Sequence, residues 1–524
     1  MKNKIHQWVF ATTLICCVSA WGQPGTIDIT YGISGKVSTF FGGNAGAKDS
    51  VLQPDGKLVV VGDTFSNLPG SSFLVARYLT NGNLDLSFGE NGSATVLSGD
   101  HCKAQSVALQ ADGKIVVAGT ELPAANGSGS SNMMIARFDP DGSLDVTFDT
   151  DGVKVIALND SQSLSAVLIQ ADGKIIAGGG FTIQSNWNQN TPGLIRLNTD
   201  GSLDTSFGVN GFVYTPGIYR GEITDMQFTA DGNIVAVGRT FITNRYLILK
   251  YDGNGQLINS FGSNGTGFVE VALNQIADLF DCFIAPDGSI YASGGTFNGI
   301  KYNAFMVKYH SDGTIDTDFA DNGTLIKDFG SVNGIGISSF GDGVAFDKNN
   351  QLLWPMSYGK TTDYDFGLLS LSPAGLPNTS FGNNGFFSTT FGSGHEYVRT
   401  MVIQEDNKII LAGDKGYQVL VRVNNAPVLS TQESLSNDNK IRVSPNPINE
   451  NSSLFFELQQ QSDVNVMLFD VKGVFLGQII SDQKLQKGNY VEKQGLQQFN
   501  LQGGIYFLKV FVNNRYYKTI KIVK

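Results

Sequence analysis

Leu84-Asp85-Leu86-Ser87-Phe88-Gly89 decides how this chain is read, because the chain writes the same phrase repeatedly. Leu203-Asp204-Thr205-Ser206-Phe207-Gly208 and Ile315-Asp316-Thr317-Asp318-Phe319-Ala320 are its clearest other copies. The aromatic position recurs as Tyr31, Phe88, Phe148, Phe207, Phe261, Phe319 and Phe381, in steps of 57, 60, 59, 54, 58 and 62 residues. A period of about 60 residues marks an array of one supersecondary unit.

Working outward, a second anchor keeps the same period. Asp-Gly recurs at Asp55-Gly56, Asp112-Gly113, Asp172-Gly173, Asp231-Gly232 and Asp287-Gly288, then degrades to Asn349-Asn350 and Asp406-Asn407. Short apolar runs flank it, as in Ser106-Val107-Ala108-Leu109-Gln110 and Lys114-Ile115-Val116-Val117-Ala118-Gly119. Two β-rich runs joined by residues that tolerate positive φ predict a hairpin. A third run ends in Ala76-Arg77-Tyr78 or Ala136-Arg137-Phe138, and a fourth follows the Phe-Gly anchor. Four antiparallel strands per unit, seven units and no helical period predict an all-β, seven-bladed β-propeller of four-stranded blades. A solenoid is the competing architecture, but its repeats run about 20 to 45 residues and need atypical caps. Within the anchor, Leu and Phe are expected to plug the gap between blades, and the Asp to accept backbone hydrogen bonds in its turn. Gly89, Gly208, Gly262 and Gly382 are expected at positive φ.

These units resemble the delta-60 repeat family, itself described as a predicted β-propeller family. The resemblance covers about residues 25 to 424 and weakens in the sixth unit, at Phe346-Asp347-Lys348-Asn349-Asn350-Gln351. It implies architecture and supplies no catalytic residue.

The ends of the chain carry different signals. Lys2 and Lys4 precede an apolar stretch from Trp8 to Val18 and then small residues, the order of a secretory signal peptide over 1–22. A lipoprotein signal is the alternative, since Cys16 and Cys17 close the apolar core, but Cys16 stands where a small residue is expected before Cys17. No other stretch is long enough for a membrane-spanning helix, so no transmembrane segment is expected in the mature chain. The propeller is expected over 23–424 and a polar linker over 425–440. From 441 to 524 the pattern alternates, as in Val464-Asn465-Val466-Met467-Leu468-Phe469, and predicts a small immunoglobulin-like β-sandwich. This last segment resembles the type A C-terminal sorting domain of the type IX secretion system of Bacteroidetes-like bacteria. The matching positions include Pro445, Asn446, Pro447, Asp470, Gly473, Gly503, Gly504, Tyr506, Lys518 and Lys521. The resemblance implies export through the periplasm to the outer surface or medium, with the translocon and its sorting machinery as partners. An accessory immunoglobulin-like module is the bland alternative.

Charge and composition narrow the function. Residues 23–439 hold 23 basic against 41 acidic side chains, which repels nucleic acid and anionic lipid. Cys102 and Cys282 fall in the second and fifth units, too far apart in a ring for a disulfide, so stability must come from core burial. His101, His310 and His395 are scattered and offer no ligand pair for zinc. Asp139-Pro140-Asp141-Gly142-Ser143-Leu144-Asp145 looks like a calcium loop but lacks the distal Glu. No catalytic residue, metal ligand or cofactor is assigned.

A ligand is expected on the face opposite the uniform Asp-Gly turns, where the connections vary freely. Trp187, Tyr219, Arg220, Tyr302, Tyr358, Tyr364 and Tyr397 are the candidate anchors, because aromatic and Arg side chains dominate binding energy. The reading is a secreted or cell-surface, non-enzymatic binding or adhesion module for an extracellular protein or glycan. The alternative is a secreted hydrolase or lyase of polysaccharides working at the channel mouth.

Overall fold

The computed structural model describes residues 23–524 apart from 66–69, 124–129, 159, 183–189, 219, 242–244, 264, 274–275, 333–334, 361–362, 426–440, 450–451, 459–460, 471–474, 493–498, 500 and 513–514. The expected signal peptide and nearly all of the expected linker lie outside the described residues. Strands and turns make up the rest, with no helix among the described residues. The chain divides into two compact units, Met1–Pro427 and Val428–Lys524.

In the first unit the described strands gather into seven sheets of four or five strands, antiparallel and nearly always neighbouring in chain order, beside one two-stranded ladder of Ser331–Val332 with Ile335–Gly336. The first sheet runs from Asp49–Leu52 through Leu58–Phe65 and Ser71–Tyr78 to Ser93–Val96, with Asn44–Ala45 added at its start. The next five open at His101–Leu109, Gln162–Ile169, Gly221–Phe228, Ile276–Ile284 and Ser338–Gly341. The seventh opens at Tyr397–Ile403. Middle strands such as Asn132–Phe138 are buried along their whole length, which is why they read as apolar runs broken here only by Asn132 and Arg137. First strands such as His101–Leu109 alternate, because only one of their faces meets the core. The first and sixth sheets depart from the expected four strands, since each splits its opening strand and so holds five. The Asp-Gly turns close as expected. Gly56 takes φ +82°, and where glycine is lost Asn350 and Asn407 take φ +60° and +69° in its place.

Seven hydrophobic clusters fill the gaps between neighbouring sheets, and the last lies between the seventh sheet and the first. Each cluster holds one anchor ring: Tyr31, Phe88, Phe148, Phe207, Phe261, Phe319 or Phe381, none more than 1% exposed. Burying one such ring is worth roughly 2 to 3 kcal/mol. The leucine four residues earlier packs in the preceding gap, Leu144 with the cluster of Phe88 and Leu203 with that of Phe148. One anchor turn therefore grips two gaps. Gly89, Gly208, Gly262 and Gly382 all take positive φ, and Asp85 accepts the Ser87 N–H and hydroxyl at 3.2 and 2.6 Å.

The array closes on itself through its N-terminal piece. Strand Lys36–Thr39 pairs with Gln418–Val423, Lys36 opposite Val421 and Thr39 opposite Gln418, and so supplies the fourth strand of the seventh sheet. Gly25 N–H donates to Asn424 O at 2.8 Å, Asn424 N–H to Thr26 O at 2.8 Å, and Gly382 N–H to Pro24 O at 2.9 Å. Arg422 bonds Asp28 at 2.8 Å and also reaches Thr80 O of the first sheet at 2.8 Å.

In the second unit a three-stranded sheet, Ile441–Ser444, Ser453–Leu458 and Gly488–Glu492, and a four-stranded one share a single core. The four-stranded sheet orders Phe475–Leu485, Ser462–Asp470, Ile505–Val512 and Arg515–Val523. Leu454, Phe456, Val464, Val466, Leu468 and Leu508 lie in that core, on the apolar positions of the alternation.

Deleting residues 23–42 removes the closing strand, the Asp28 partner of Arg422 and the Tyr31 ring together. The expected outcome is loss of the cooperative thermal transition of the first unit, followed by circular dichroism. An unchanged transition would show that the seventh sheet does not need this segment.

Candidate functional site

The opening strands of the seven sheets face one central cavity of 590 Å³. Strand direction puts its mouth on the face opposite the Asp-Gly turns, where the variable connections lie. In five of these strands the pairing slips by one residue, for example between Ala104 and Ser106 and between Leu279 and Asp281. The extra residues, Gln105, Ser165, Thr224, Phe280 and Arg399, line the cavity. A bulge re-aims the side chain it inserts, so the repeat carries a variable position aimed at one place.

Polar side chains on or beside the opening strands, directly after the bulge in the second, fourth and fifth sheets, tie a strand to the following sheet. Asp49 accepts the N–H of Val107 at 2.9 Å, Asp225 that of Cys282 at 3.0 Å and Asp281 that of Val344 at 3.1 Å. Ser106 accepts Val167 N–H at 3.3 Å. Asp342 accepts the Ser357 hydroxyl at 2.9 Å, whose oxygen accepts Val398 N–H at 3.0 Å. Burial raises the proton affinity of all four aspartates, Asp342 to about 6 in spite of Arg399 nearby. Asp281 is driven further by the charges of Asp225 and Asp49. Burial and Asp225 likewise push the Cys282 thiol well up, and Cys102 and Cys282 are both buried and unpaired.

Two of the three cations that line the cavity are held in ion pairs. Arg399 pairs with Asp414 at 2.9 Å, and Arg239 with Glu222 at 2.8 Å. Burial lowers the proton affinity of Lys48, and Arg399 lowers it further.

An aromatic chain runs from the fifth sheet to the seventh and reaches the cavity at Phe340 and Tyr397. Phe297 meets Tyr302 at 4.9 Å between ring centroids, Tyr302 meets Phe340 at 4.8 Å, and Phe340 meets Tyr364 at 5.9 Å. Tyr364 then meets His395 at 5.2 Å and Tyr397 at 5.6 Å, and Arg399 lies 4.8 Å over the Tyr397 ring. Phe280, Phe340 and Tyr397 line the cavity directly.

Of the residues singled out in the sequence, Tyr302, Tyr364 and Tyr397 thus come together. Tyr358 lies apart, between Phe329 and Phe386 at 5.2 and 5.1 Å. Arg220 holds a turn at φ +57°, its carbonyl accepting Phe241 N–H at 2.6 Å. Trp187 and Tyr219 lie outside the described residues. Phe280, Phe340, Arg399 and the four aspartates were not found from the sequence. Their signal is the polar or aromatic residue interrupting the apolar alternation of each opening strand.

In the second unit the sorting-type residues have structural partners. The Asn446 amide donates to Lys521 O at 2.9 Å while its oxygen accepts Val523 N–H at 2.9 Å, so one side chain clasps the last strand. Gly504 and Lys524 exchange backbone hydrogen bonds at 3.1 and 2.9 Å, and the Tyr506 hydroxyl donates to Gln502 O at 3.0 Å. Asp470 sits opposite Tyr506, and the backbone of Lys518 opposite Val510. Pro445 O accepts the Ser452 hydroxyl at 2.9 Å, and Pro447 and Gly503 flank these contacts. Gly473 lies outside the described residues.

The raised aspartates carry a sign for stability. Their folded proton affinity exceeds the unfolded one, so their contribution is full below about pH 4 and is lost as pH rises through each folded value, about 6 for Asp225 and Asp342. Denaturant midpoints are expected to fall between about pH 4 and pH 6.5, and Asp342→Asn to flatten part of that slope. An identical slope in the variant would remove Asp342 from the account.

Two families match the chain. A β-propeller domain of unknown function, DUF5122, matches residues 53–88, 110–148, 170–207 and 285–319, and a secretion system C-terminal sorting domain matches 442–524. No curated protein matches it. Among solved structures it is similar to a catalytically inactive virginiamycin B lyase from Staphylococcus aureus with quinupristin, at 11% identity and TM-score 0.42, over 74% of this chain and 98% of that one. YCF48 from Cyanidioschyzon merolae is similar at 11% identity and TM-score 0.40, over 74% and 99%. Sqt1 from Chaetomium thermophilum, bound to the N-terminus of ribosomal protein L10, is similar at 12% and 0.41, over 74% and 99%. No helix among the described residues is long and apolar enough to cross a membrane. The chain thus contains DUF5122 β-propeller repeats and a type IX secretion sorting domain, which indicates export to the cell surface or the extracellular space.

Proposed function

We propose that this protein is a seven-bladed propeller that works outside the cell as a binding module, with an immunoglobulin-like sandwich as its export address. The single observation that carries the reading is the aromatic chain through Tyr302, Phe340, Tyr364 and Tyr397 at the mouth of the central cavity. Large rigid rings beside a few convergent polar groups are what a recognition pocket needs. The uniform turns of the opposite face are fully occupied in holding sheets together and leave that face nothing to vary. The ligand is an extracellular protein or glycan.

A second reading has its own support. Asp225 and Asp281 stand in one cavity, and the charge of Asp225 raises the proton affinity of Asp281, as a general acid in a glycoside-cleaving pair requires. Against it, each of the two spends an oxygen on a backbone N–H of the next sheet. The secreted protein should therefore bind its ligand saturably and leave chromogenic glycosides and uronide substrates intact. The Tyr364→Ala/Tyr397→Ala variant should bind about tenfold or more weakly by calorimetry. Turnover that disappears in Asp281→Asn would overturn the binding reading in favour of the enzyme.

Export divides cleanly from recognition. A chain ending at Asn439 is expected to accumulate in the periplasm with the propeller folded, while residues 440–524 fused to an inert periplasmic reporter carry it outside. Fractionation and surface proteolysis read both arms. Normal surface amounts of the truncated chain would refute this division of labour.

A further inference from the structure

We infer that the mouth of the central cavity takes a neutral, hydroxyl-rich saccharide chain, an inference that rests on the binding-module reading above. The cavity has two unlike walls. On the side of the fifth, sixth and seventh sheets it is aromatic, through Phe280, Phe340 and Tyr397. Across from these, the second and third sheets offer an amide and small hydroxyls at Gln105, Thr120, Ser163 and Ser165. A pyranose ring has the same division, an apolar C–H face and a rim of hydroxyls that each donate and accept. The symmetric repeat does not produce this contrast. Equivalent bulge positions hold Gln105 and Ser165 on one side and Phe280 and Arg399 on the other, so the lining differs where the fold is indifferent.

Charge excludes the other polymer classes. Arg399 and Arg239 are taken up by Asp414 and Glu222, so for a polyanion only Lys48, whose proton affinity burial lowers, stands against the wall carboxylates Asp49, Asp225 and Asp281. A polycation gains little from those carboxylates, each of which already accepts a backbone hydrogen bond. A neutral chain escapes both penalties. Its hydroxyls donate to aspartate oxygens and accept from Gln105 and Arg399.

The test titrates the secreted full chain by calorimetry with four hexasaccharides: cellohexaose and xylohexaose as neutral arms, hexagalacturonate as the anionic arm and chitosan hexamer as the cationic arm. Neutral hexamers are expected to bind, Tyr397→Ala to weaken them about tenfold, and Tyr397→Phe, which keeps the ring, to restore them. Thermal melts of both variants check that the fold is intact. Tighter binding of the anionic or cationic arm overturns the neutral class. Saturable binding of a protein ligand with none of the saccharides bound overturns the saccharide and leaves the binding module standing. Cleavage of a hexamer without stoichiometric binding removes both.

Discussion

The contact on which the structure depends is the charged knot behind each anchor ring. In the first unit Asp85 takes Arg77 at 2.8 Å and Lys57 at 3.1 Å, while Arg77 lies 4.6 Å over Phe88 and donates to Pro140 O in the next unit at 2.6 Å. The second and third units repeat it as Arg137, Asp145, Lys114, Phe148 and Arg196, Asp204, Lys174, Phe207. Arg422, Asp28, Lys408 and Tyr31 build the same knot across the closure. Burial alone raises the proton affinity of Asp85, but hydrogen bonds from Ser87 and Lys57 and the charge of Arg77 more than reverse it, so the acid stays ionised. The guanidinium thereby bonds both its own turn and the neighbouring repeat, and removing one partner of such a buried pair costs about 3 to 5 kcal/mol.

The weaker units show that the knot behaves as a set. In the fourth, Ile258 replaces the acid, Lys250 the arginine and Asn233 the lysine, so no charge is left buried without a partner. Lys250 still reaches Ser311 O at 2.9 Å and lies 5.7 Å over Phe261, keeping the link to the next unit without the acid. The sixth is neutral, with Ser370 and Asn378 bonded at 3.1 Å where the ion pair stood and Gln351 in the lysine position. The fifth keeps one pair, Lys308 with Asp316 at 2.7 Å, and has Ser289 where the second cation stood. Departures that looked like decay along the sequence are charge-balanced replacements in space.

Those relations explain what could be read beforehand. The anchor, the Asp-Gly turn and the Ala-Arg-Tyr strand end were visible because each has a local steric or hydrogen-bonding duty, and local duties leave fixed spacings. The turn that imitates a calcium loop belongs here, since Asp141 is occupied by the Ser143 N–H and hydroxyl at 2.9 and 2.6 Å. Tyr302, Tyr364 and Tyr397 were found as aromatic residues at the variable connections, but Tyr358 has the same appearance in sequence and packs elsewhere. One strand position decides the difference, and alternation alone does not fix which side of a strand meets the channel. The aspartates were harder still. Asp225 and Asp281 follow bulges, and a bulge displaces the register after it by one residue, so a strict period of two puts them on the wrong face.

Division of labour between the two faces follows from this arrangement. The knots occupy the end of each sheet where the Asp-Gly and anchor turns meet, and they fix the spacing of neighbouring sheets without help from the other end. The opening strands carry polar ties near the channel, and the ring accepts several chemistries for them: Asp49, Ser106, Asp225, Asp281 and the Asp342–Ser357 relay. In the second, fourth and fifth sheets the residue after the bulge makes the tie, and of the bulged residues Thr224 adds a hydroxyl bond to Leu279 O at 2.8 Å and Arg399 pairs with Asp414 at 2.9 Å. Gln105, Ser165, Thr224, Phe280 and Arg399 differ in size, charge and polarity while the same bulge recurs around them. A frame held at one end and a variable bulged side chain in five of the sheets at the other are the conditions under which a repeated fold acquires an asymmetric site.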